Sequence, residues 1–217
     1  MEINESTKLA NFKKEFFKHA KKSSLYENIV KTNGKIVFGR GSDNPKFLFI
    51  GEAPGFSENT IGKPFVGRSG KMLDGWIGEL NLKENFAIIN VVPIIPLNKE
   101  GGIRPPTEEE INYFLPMTEK YIELLNPSLI VLLGRSAASI FDKTLSPGQV
   151  KHWKKMKNQS SSLSQNTKSV LSDIKLFFIY HPSYYLRNGG KGFEKEIAKL
   201  KEILNDKTKQ EKLTQFD

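Results

Sequence analysis

Four polar or glycine-rich segments hold the residue types that are best suited to chemistry, and each of them directly follows an apolar run. These segments are residues 51–55, 93–106, 134–136 and 181–183. A carboxylate such as that of Glu52 can steer a water molecule, and the imidazole of His181 can donate a hydrogen bond to a developing oxyanion. Taken alone, the Glu52 segment and His181 each favour a structural role over a chemical one.

Phe65 lies in the sequence Gly-Lys-Pro-Phe-Val-Gly-Arg-Ser-Gly of residues 62–70. An aromatic ring held between Pro64 and a glycine-flanked turn can stack on a planar base. The N–H groups at the start of the helix that follows can hold a phosphate. Packing in the core is the alternative role for this side chain.

Asn90 is a polar residue inside the apolar run of residues 86–92, where a buried amide needs hydrogen-bond partners. At the carboxyl end of a strand, its donor and acceptor can together read the edge of a base. Loop backbone is the alternative partner. After the last apolar run, residues 184–187 (Tyr-Tyr-Leu-Arg) combine bulky side chains with a cation, which suits them to opening a base stack.

Apolar runs that alternate with helical patterns predict an α/β fold, a three-layer α/β/α sandwich with a central, four-stranded, mainly parallel sheet. The predicted strands are residues 47–50, 86–92, 129–133 and 176–180, and the predicted helices are residues 7–22, 69–80, 107–125, 135–141 and 193–204. The runs are continuous rather than alternating, as in strands that are buried on both faces. The functional site of such a sheet lies at the carboxyl ends of its strands.

Composition narrows the class of protein. The 217 residues include 38% hydrophobic residues, enough for a core, and we expect a single domain over residues 1–217. The net charge of +9 favours a polyanionic partner, nucleic acid before membrane surface. The chain has no cysteine, which excludes disulfides, thiolate nucleophiles and cysteine-ligated metal sites. The acidic start is no signal peptide and no apolar run is long enough to span a bilayer, so we expect a soluble, intracellular protein. We expect it to be a monomer, although its sequence does not fix the oligomeric state.

Two segments depart from the tight pattern of the rest of the chain. Residues 142–173 contain a serine run and a lysine-rich patch over 151–157, and we expect them to form a flexible surface insertion. The patch is suited to a phosphate backbone, or is simply solvated. Residues 207–217 are expected to form a polar tail.

Together the motifs resemble the uracil-DNA glycosylase superfamily, and most closely its family 4. The resemblance spans residues 47 to 187 in the expected order. Residues 51–55, Glu58 and residues 62–68 are similar to the first motif of the family, and Asn90–Val92 with residues 104–110 are similar to the middle motif. Residues 129–134 resemble its third strand, and residues 181–187 its final motif.

The resemblance implies a monofunctional DNA-repair glycosylase that flips uracil out of single- or double-stranded DNA, hydrolyses the N-glycosidic bond and leaves an abasic site. It implies catalytic roles for Glu52, Glu58 and His181, uracil binding by Gly51, Ala53, Phe65 and Asn90, and DNA binding by Arg68, Ser69, Ser183, Tyr184, Tyr185, Leu186 and Arg187. No metal and no cofactor are expected to take part. The family places the protein in the cytoplasm of a bacterium or an archaeon.

The sequence also departs from this family in three respects, one of which is that residues 142–173 are a longer insertion than the family usually has there. Family 4 members usually hold a [4Fe–4S] cluster with four cysteines, whose positions would fall near residues 23–26, 93–94 and 113–114 of this chain. Asn59 stands after Glu58 where the family usually has Asp. These departures leave two alternatives open: a nucleic-acid-binding protein without turnover, or a glycosylase for another base such as hypoxanthine or mismatched thymine.

Overall fold

A mixed sheet of six strands forms the centre of the structure, a computed structural model that describes residues 5–152 and 174–213. The strands are β1 (Arg40–Gly41), β2 (Phe47–Gly51), β3 (Phe86–Asn90), β4 (Leu129–Leu133), β5 (Val150–His152) and β6 (Lys175–Ile179). Their order in the sheet is β1-β3-β2-β4-β6-β5. The four central strands are parallel to one another, whereas β1 and β5 pair antiparallel at the two edges.

The α/β class is confirmed, but the predicted number of strands is wrong, because the sheet has six strands and not four. The four predicted strands are the central ones. The two edge strands are only two and three residues long, too short to show an apolar pattern of their own in the sequence.

The described helices include the five that were predicted and three short ones that were not. They are α1 (Glu5–Ala20), α2 (Tyr26–Thr32), α3 (Phe56–Ile61), α4 (Arg68–Glu79), α5 (Glu108–Leu125), α6 (Arg135–Phe141), α7 (Pro182–Arg187) and α8 (Glu194–Leu213). Helix α5 begins with a capping box, in which Thr107 and Glu110 each accept a backbone N–H bond from the other. Within the described residues, no helix is both long and apolar enough to span a bilayer.

Helices cover both faces of the sheet, because successive strand residues point to opposite sides. Leu48 and Ile50 of β2 join an apolar cluster with residues of α1, α5 and α6. Phe49, between them, joins a second cluster with residues of α4 and α8. The central strands are therefore buried on both faces, as their continuous apolar runs predict.

Part of the segment predicted as an insertion lies within the described residues. Asp142 is a buried carboxylate that forms an ion pair with Lys151 and accepts hydrogen bonds from Thr144. Residues 150–152 form strand β5 on the edge of the sheet. The rest of the predicted insertion, residues 153–173, lies outside the described residues.

The last helix is longer than its sequence pattern predicts. Helix α8 continues to Leu213, whereas the pattern predicts its end at Leu204 and a polar tail from residue 207. Residues 214–217 lie outside the described part of the chain. The central strands end together at one edge of the sheet, with Gly51 opposite Asn90, so the segments that follow them converge there.

Candidate active site

A cleft of about 900 Å³ opens at the carboxyl ends of the central strands. Of the predicted site residues, eleven line it: Glu52, Ala53, Glu58, Phe65, Arg68, Ser69, Asn90, His181, Ser183, Tyr184 and Arg187. The fold thus brings together residues from four segments that lie far apart in the sequence.

Gly51 underlies the part of the cleft where an aromatic ring and an amide meet. A Cβ atom on this glycine would lie 2.6 Å from Oδ1 of Asn90 and 2.6 Å from the ring of Phe65. The ring and the amide are therefore neighbours, and the backbone of Gly51 fills the space beneath them. A side chain at this position would push one or both groups away.

The amide of Asn90 has an unmet hydrogen-bonding capacity. Its side chain is only 8% exposed, and Oδ1 is buried without a hydrogen-bond partner among the described residues. A buried acceptor without a partner costs free energy, roughly 1–3 kcal/mol. Since this residue lines the cleft, a ligand with a donor on its edge would relieve that cost.

Phe65 is held in a backbone conformation that few residues other than glycine adopt, with φ of +54°. Arg40 donates to the carbonyl oxygen of Pro64 at 2.9 Å and to that of Phe65 at 3.3 Å, and it forms an ion pair with Asp74 of α4. At Gly70 a Cβ atom would lie only 1.9 Å from the carbonyl oxygen of Phe65, so only glycine fits there. These contacts fix the ring beside His181, with ring centroids 5.5 Å apart.

The hydrogen bonds around His181 determine which ring nitrogen bears the proton. The backbone N–H of Ser183 donates to Nδ1 at 3.2 Å, and Oγ of Ser183 lies 2.9 Å from the same nitrogen. Arg187 donates to that Oγ at 3.4 Å. Because Nδ1 accepts hydrogen bonds, the neutral imidazole has its proton on Nε2, which is left to serve as a donor.

The imidazole of His181 is neutral at neutral pH. Burial and, to a smaller degree, the positive charge of Arg187 lower the pKa of His181 to about 4, although the negative charge of Glu58 acts in the opposite direction. The turn after β4 passes close to His181 at Gly134, which has φ of +94°. A Cβ atom at this position would lie 3.2 Å from the Cβ atom of His181.

The two predicted catalytic carboxylates have different surroundings. Glu58 accepts three backbone N–H bonds, from Gly55 at 3.1 Å, Val66 at 2.9 Å and Gly67 at 2.8 Å. It therefore ties the loop after β2 to the loop that holds Phe65. The carboxylate of Glu52, half-buried in the cleft wall, has no hydrogen-bond partner among the described residues, and so its oxygens are available to a ligand or water.

Three of the predicted site residues do not line the cleft. Gly51 lies beneath it, as described above. Tyr185 is 2% exposed and packs against Trp76 and Phe193, so its ring lies in the core and not at the cleft. Leu186 is half-buried and does not line the cleft. It lies on helix α7, not on a loop.

Asn59 also lies away from the cleft. Its side chain is buried, its Nδ2 donates to Thr32 at 2.9 Å, and its amide faces Gly34, where a Cβ atom would collide with it. Since it does not line the cleft, the Asn59 side chain is not placed to orient a water there. The residue at which the chain departs from the family pattern therefore contacts the end of α2 and the loop after it, and not the cleft.

Sequence reasoning missed several side chains that line the cleft. They are Phe56, Ile103, Arg104, Arg135, Ser136 and Tyr180. All six fall within or beside the segments that follow the strands, so position in the chain was the available signal. Phe56 and Ile103 are exposed apolar residues, and nothing in their sequence pattern distinguishes them from core residues.

The match with known proteins agrees with this geometry. The model of the uracil DNA glycosylase superfamily matches residues 38–206, and the chain belongs to this superfamily. It is 34% identical to the type-4 uracil-DNA glycosylase of Saccharolobus solfataricus, over 79% of this chain and 77% of that one. It is 35% identical to the type-4 enzyme of Thermotoga maritima, over 70% of this chain and 72% of that one. The resemblance predicted from the motifs is confirmed.

The residues at the expected cluster positions do not fit an iron–sulfur cluster. Such clusters are held by cysteine thiolates, and this chain has no cysteine. A cavity of only about 50 Å³ lies between residues 23–25 and Phe114. Beside it, His19 and Tyr113 stack with ring centroids 4.4 Å apart and bond to each other's backbone carbonyls at 2.9 and 3.0 Å. This reciprocal contact joins α1 to α5.

Proposed function

We propose that this protein removes uracil from DNA by hydrolysing the N-glycosidic bond, and that the cleft residues perform the reaction. The observation that carries the proposal is the buried, unpartnered Oδ1 of Asn90 beside the ring of Phe65 and the imidazole of His181. Uracil offers an N3–H donor for that oxygen and an O4 acceptor for the amide N–H. Its flat ring suits the face of Phe65.

The departing base is stabilised by His181. As the bond between C1′ and N1 breaks, its electron pair goes to uracil, and negative charge develops on O2. The Nε2–H of a neutral imidazole donates to that oxygen, and the fixed tautomer holds it ready before the reaction begins. Removing one such donor typically costs about 10²–10³ in rate.

Glu52 positions the water that completes the hydrolysis. Its carboxylate accepts a hydrogen bond from the water, takes up the proton that the water loses as its oxygen attacks C1′, and offsets the positive charge that develops on the sugar. The proton then passes through solvent to the departed uracil anion. Glu58 holds the surrounding loops in place. No lysine of the described residues lines the cleft, which favours hydrolysis without strand cleavage by an amine nucleophile.

DNA is held by cations at the rim of the cleft. Arg68 and Arg187 are exposed there, and Ser69 and Ser183 lie beside them. With a net charge of +9, binding should weaken steeply as salt is raised, because counterions are released from the phosphates. Since the substrate is genomic DNA, we place the protein in the cytoplasm of a bacterium or an archaeon, the groups from which the relatives come.

The test is release of uracil from a labelled oligonucleotide with one deoxyuridine, at low salt with a chelator, followed by alkaline cleavage of abasic sites. We expect a strand break at the deoxyuridine, and release that is at least about 10²-fold slower in the His181→Ala and Asn90→Ala variants. Val30→Ala, a change at an exposed residue that does not line the cleft, is the control.

Two outcomes would support the alternatives. Retention of uracil-containing DNA without release of the base would indicate a binding protein. Release of hypoxanthine from a matched oligonucleotide, with uracil left in place, would indicate a glycosylase for another base.

A further inference from the structure

Exposed apolar side chains are concentrated around the cleft. Among the described residues, six large hydrophobic side chains are exposed by more than a third, and four of these line the cleft. The four are Phe56 (51%), Ile103 (49%), Tyr184 (41%) and Tyr180 (37%). Exposed apolar surface beside a site usually marks a contact with a ligand or partner.

Two of these side chains form a stacked pair. The rings of Tyr180 and Tyr184 lie 4.4 Å apart between centroids, with 25° between their planes. Tyr185, in the core, packs edge-on against both rings, and Phe178 packs edge-on against Tyr180. The pair is therefore held rigid before any ligand arrives, so little conformational entropy is lost when a ring stacks on it.

This pair lies immediately beside the proposed catalytic imidazole. Tyr180 directly precedes His181 in the chain, and Tyr184 lies on α7, whose exposed Arg187 also lines the cleft. An aromatic face next to a cation is the combination that holds a single-stranded nucleic acid, with bases on the rings and phosphates on the charges. Inside a duplex, by contrast, each base has both faces covered by its neighbours.

We propose that the stacked pair of Tyr180 and Tyr184 receives an unpaired base next to the extruded uridine, so that the preferred substrate is uracil in single-stranded or locally unpaired DNA. This inference rests on the proposed function and adds its substrate class. Tyr184 acts as a platform and not as a wedge, since its ring is already engaged with that of Tyr180. Of the residues 184–187 that the sequence suggests for opening a base stack, Tyr185 is also buried in the core.

The test combines a protein change with a substrate change. Binding and single-turnover excision are measured on a single strand with one deoxyuridine, on the same strand with an abasic analogue on its 5′ or 3′ side, and on a duplex. Tyr184→Ala should weaken binding of the intact single strand roughly 5- to 100-fold. Replacing the neighbouring base on one side should weaken binding by wild-type protein similarly, and should have little further effect on Tyr184→Ala.

Matched variants separate the platform from a folding defect. Tyr184→Phe keeps the ring and should bind like wild type, and Val30→Ala removes exposed apolar surface elsewhere and should also do so. The proposal is overturned if Tyr184→Ala affects duplex as much as single strand, or if loss of the neighbouring base on either side has no effect on wild-type binding.

Failure of the proposed function gives a different result. If wild-type protein releases no uracil from any substrate, the assigned reaction is wrong, while the binding measurements still decide whether the platform exists. If uracil is released equally well from all the substrates and binding ignores the neighbouring base, the reaction stands and the platform does not.

Discussion

The backbone N–H of Ser183 donates a hydrogen bond to Nδ1 of His181 and thereby keeps the imidazole proton on Nε2. Ser183 is only two residues further along the chain, so the His-Pro-Ser sequence at the start of α7 sets the tautomer locally. The proline fits the first helical position, where its missing N–H is not needed. A neutral donor toward the cleft is therefore a property of this tripeptide and its burial.

The pH dependence of excision should report this state. Because the pKa of His181 is lowered to about 4, the imidazole stays neutral well below pH 6.5, and the acidic limb due to its protonation should lie near pH 4. Arg187→Gln removes a nearby positive charge and should move this limb to higher pH. Single-turnover excision on a single-stranded oligonucleotide, measured from pH 4 to 8, checks this.

Arg68→Gln is the matched control, because it removes an equal charge from the rim but has no contact with Ser183. It should weaken DNA binding without moving the limb. The same lowered pKa should make the stability of the protein depend on pH. The imidazole of the unfolded chain takes up a proton at about pH 6.5, whereas that of the folded chain does so only near pH 4. The free energy of unfolding should therefore fall as the pH is lowered from 6.5 to 4. An acidic limb at pH 6.5 in wild type would contradict the assignment.

The two carboxylates of the first motif should separate in their effects. Glu52→Gln should slow excision about 10²-fold or more while the melting temperature and DNA binding stay close to wild type. Glu58→Gln should lower the melting temperature, because an amide N–H₂ group would face a backbone N–H in place of an acceptor. Thermal melts and single-turnover rates on the same preparations distinguish the two roles, and equal loss of stability in both variants would contradict them.

Much of this site could be predicted from the sequence because parallel strands place their carboxyl ends at one edge. The runs before Gly51, Asn90 and His181 were apolar enough to identify as strands, and the segments after them meet in the cleft. The motif resemblance added the chemistry that spacing alone left open.

The parts that could not be predicted depend on contacts between distant segments. Nothing near Glu58 in the chain shows that its oxygens accept N–H bonds from Val66 and Gly67. The rings at 184 and 185 are chemically alike in sequence, and only the packing of α7 buries Tyr185 and leaves Tyr184 exposed. Edge strands as short as β1 also take their structure from the strand beside them.

The conformation of Phe65 should depend on Arg40, although this side chain does not line the cleft. Arg40→Gln removes the bonds to the carbonyls of Pro64 and Phe65, which hold a strained backbone in place. If this loss weakens the binding of uracil by about 1 kcal/mol, the inhibition constant of free uracil should rise about fivefold.

Asp74→Asn is the control for this change, because it breaks only the partly exposed ion pair with Arg40 and should have a smaller effect. The comparison uses inhibition constants for free uracil in the excision reaction. Equal inhibition of wild type and Arg40→Gln would show that the Phe65 loop holds its position without this side chain.

The contact between His19 and Tyr113 should stabilise the packing of α1 against α5. Tyr113→Phe keeps the stacked ring but removes the bond to the carbonyl of His19, and should cost about 1 kcal/mol of unfolding free energy. For a chain of this size that is a decrease of roughly 2–4 °C in melting temperature. Tyr26→Phe, whose hydroxyl has no hydrogen bond in the described part of the chain, should change it little.

The same explanation predicts how the protein responds to chelators. Since no thiolate is present to hold iron, prolonged treatment with an iron chelator in air should leave both the melting temperature and uracil release unchanged. Aerobic and anaerobic preparations should therefore have the same specific activity. A loss of melting temperature or of uracil release on chelation would contradict this prediction.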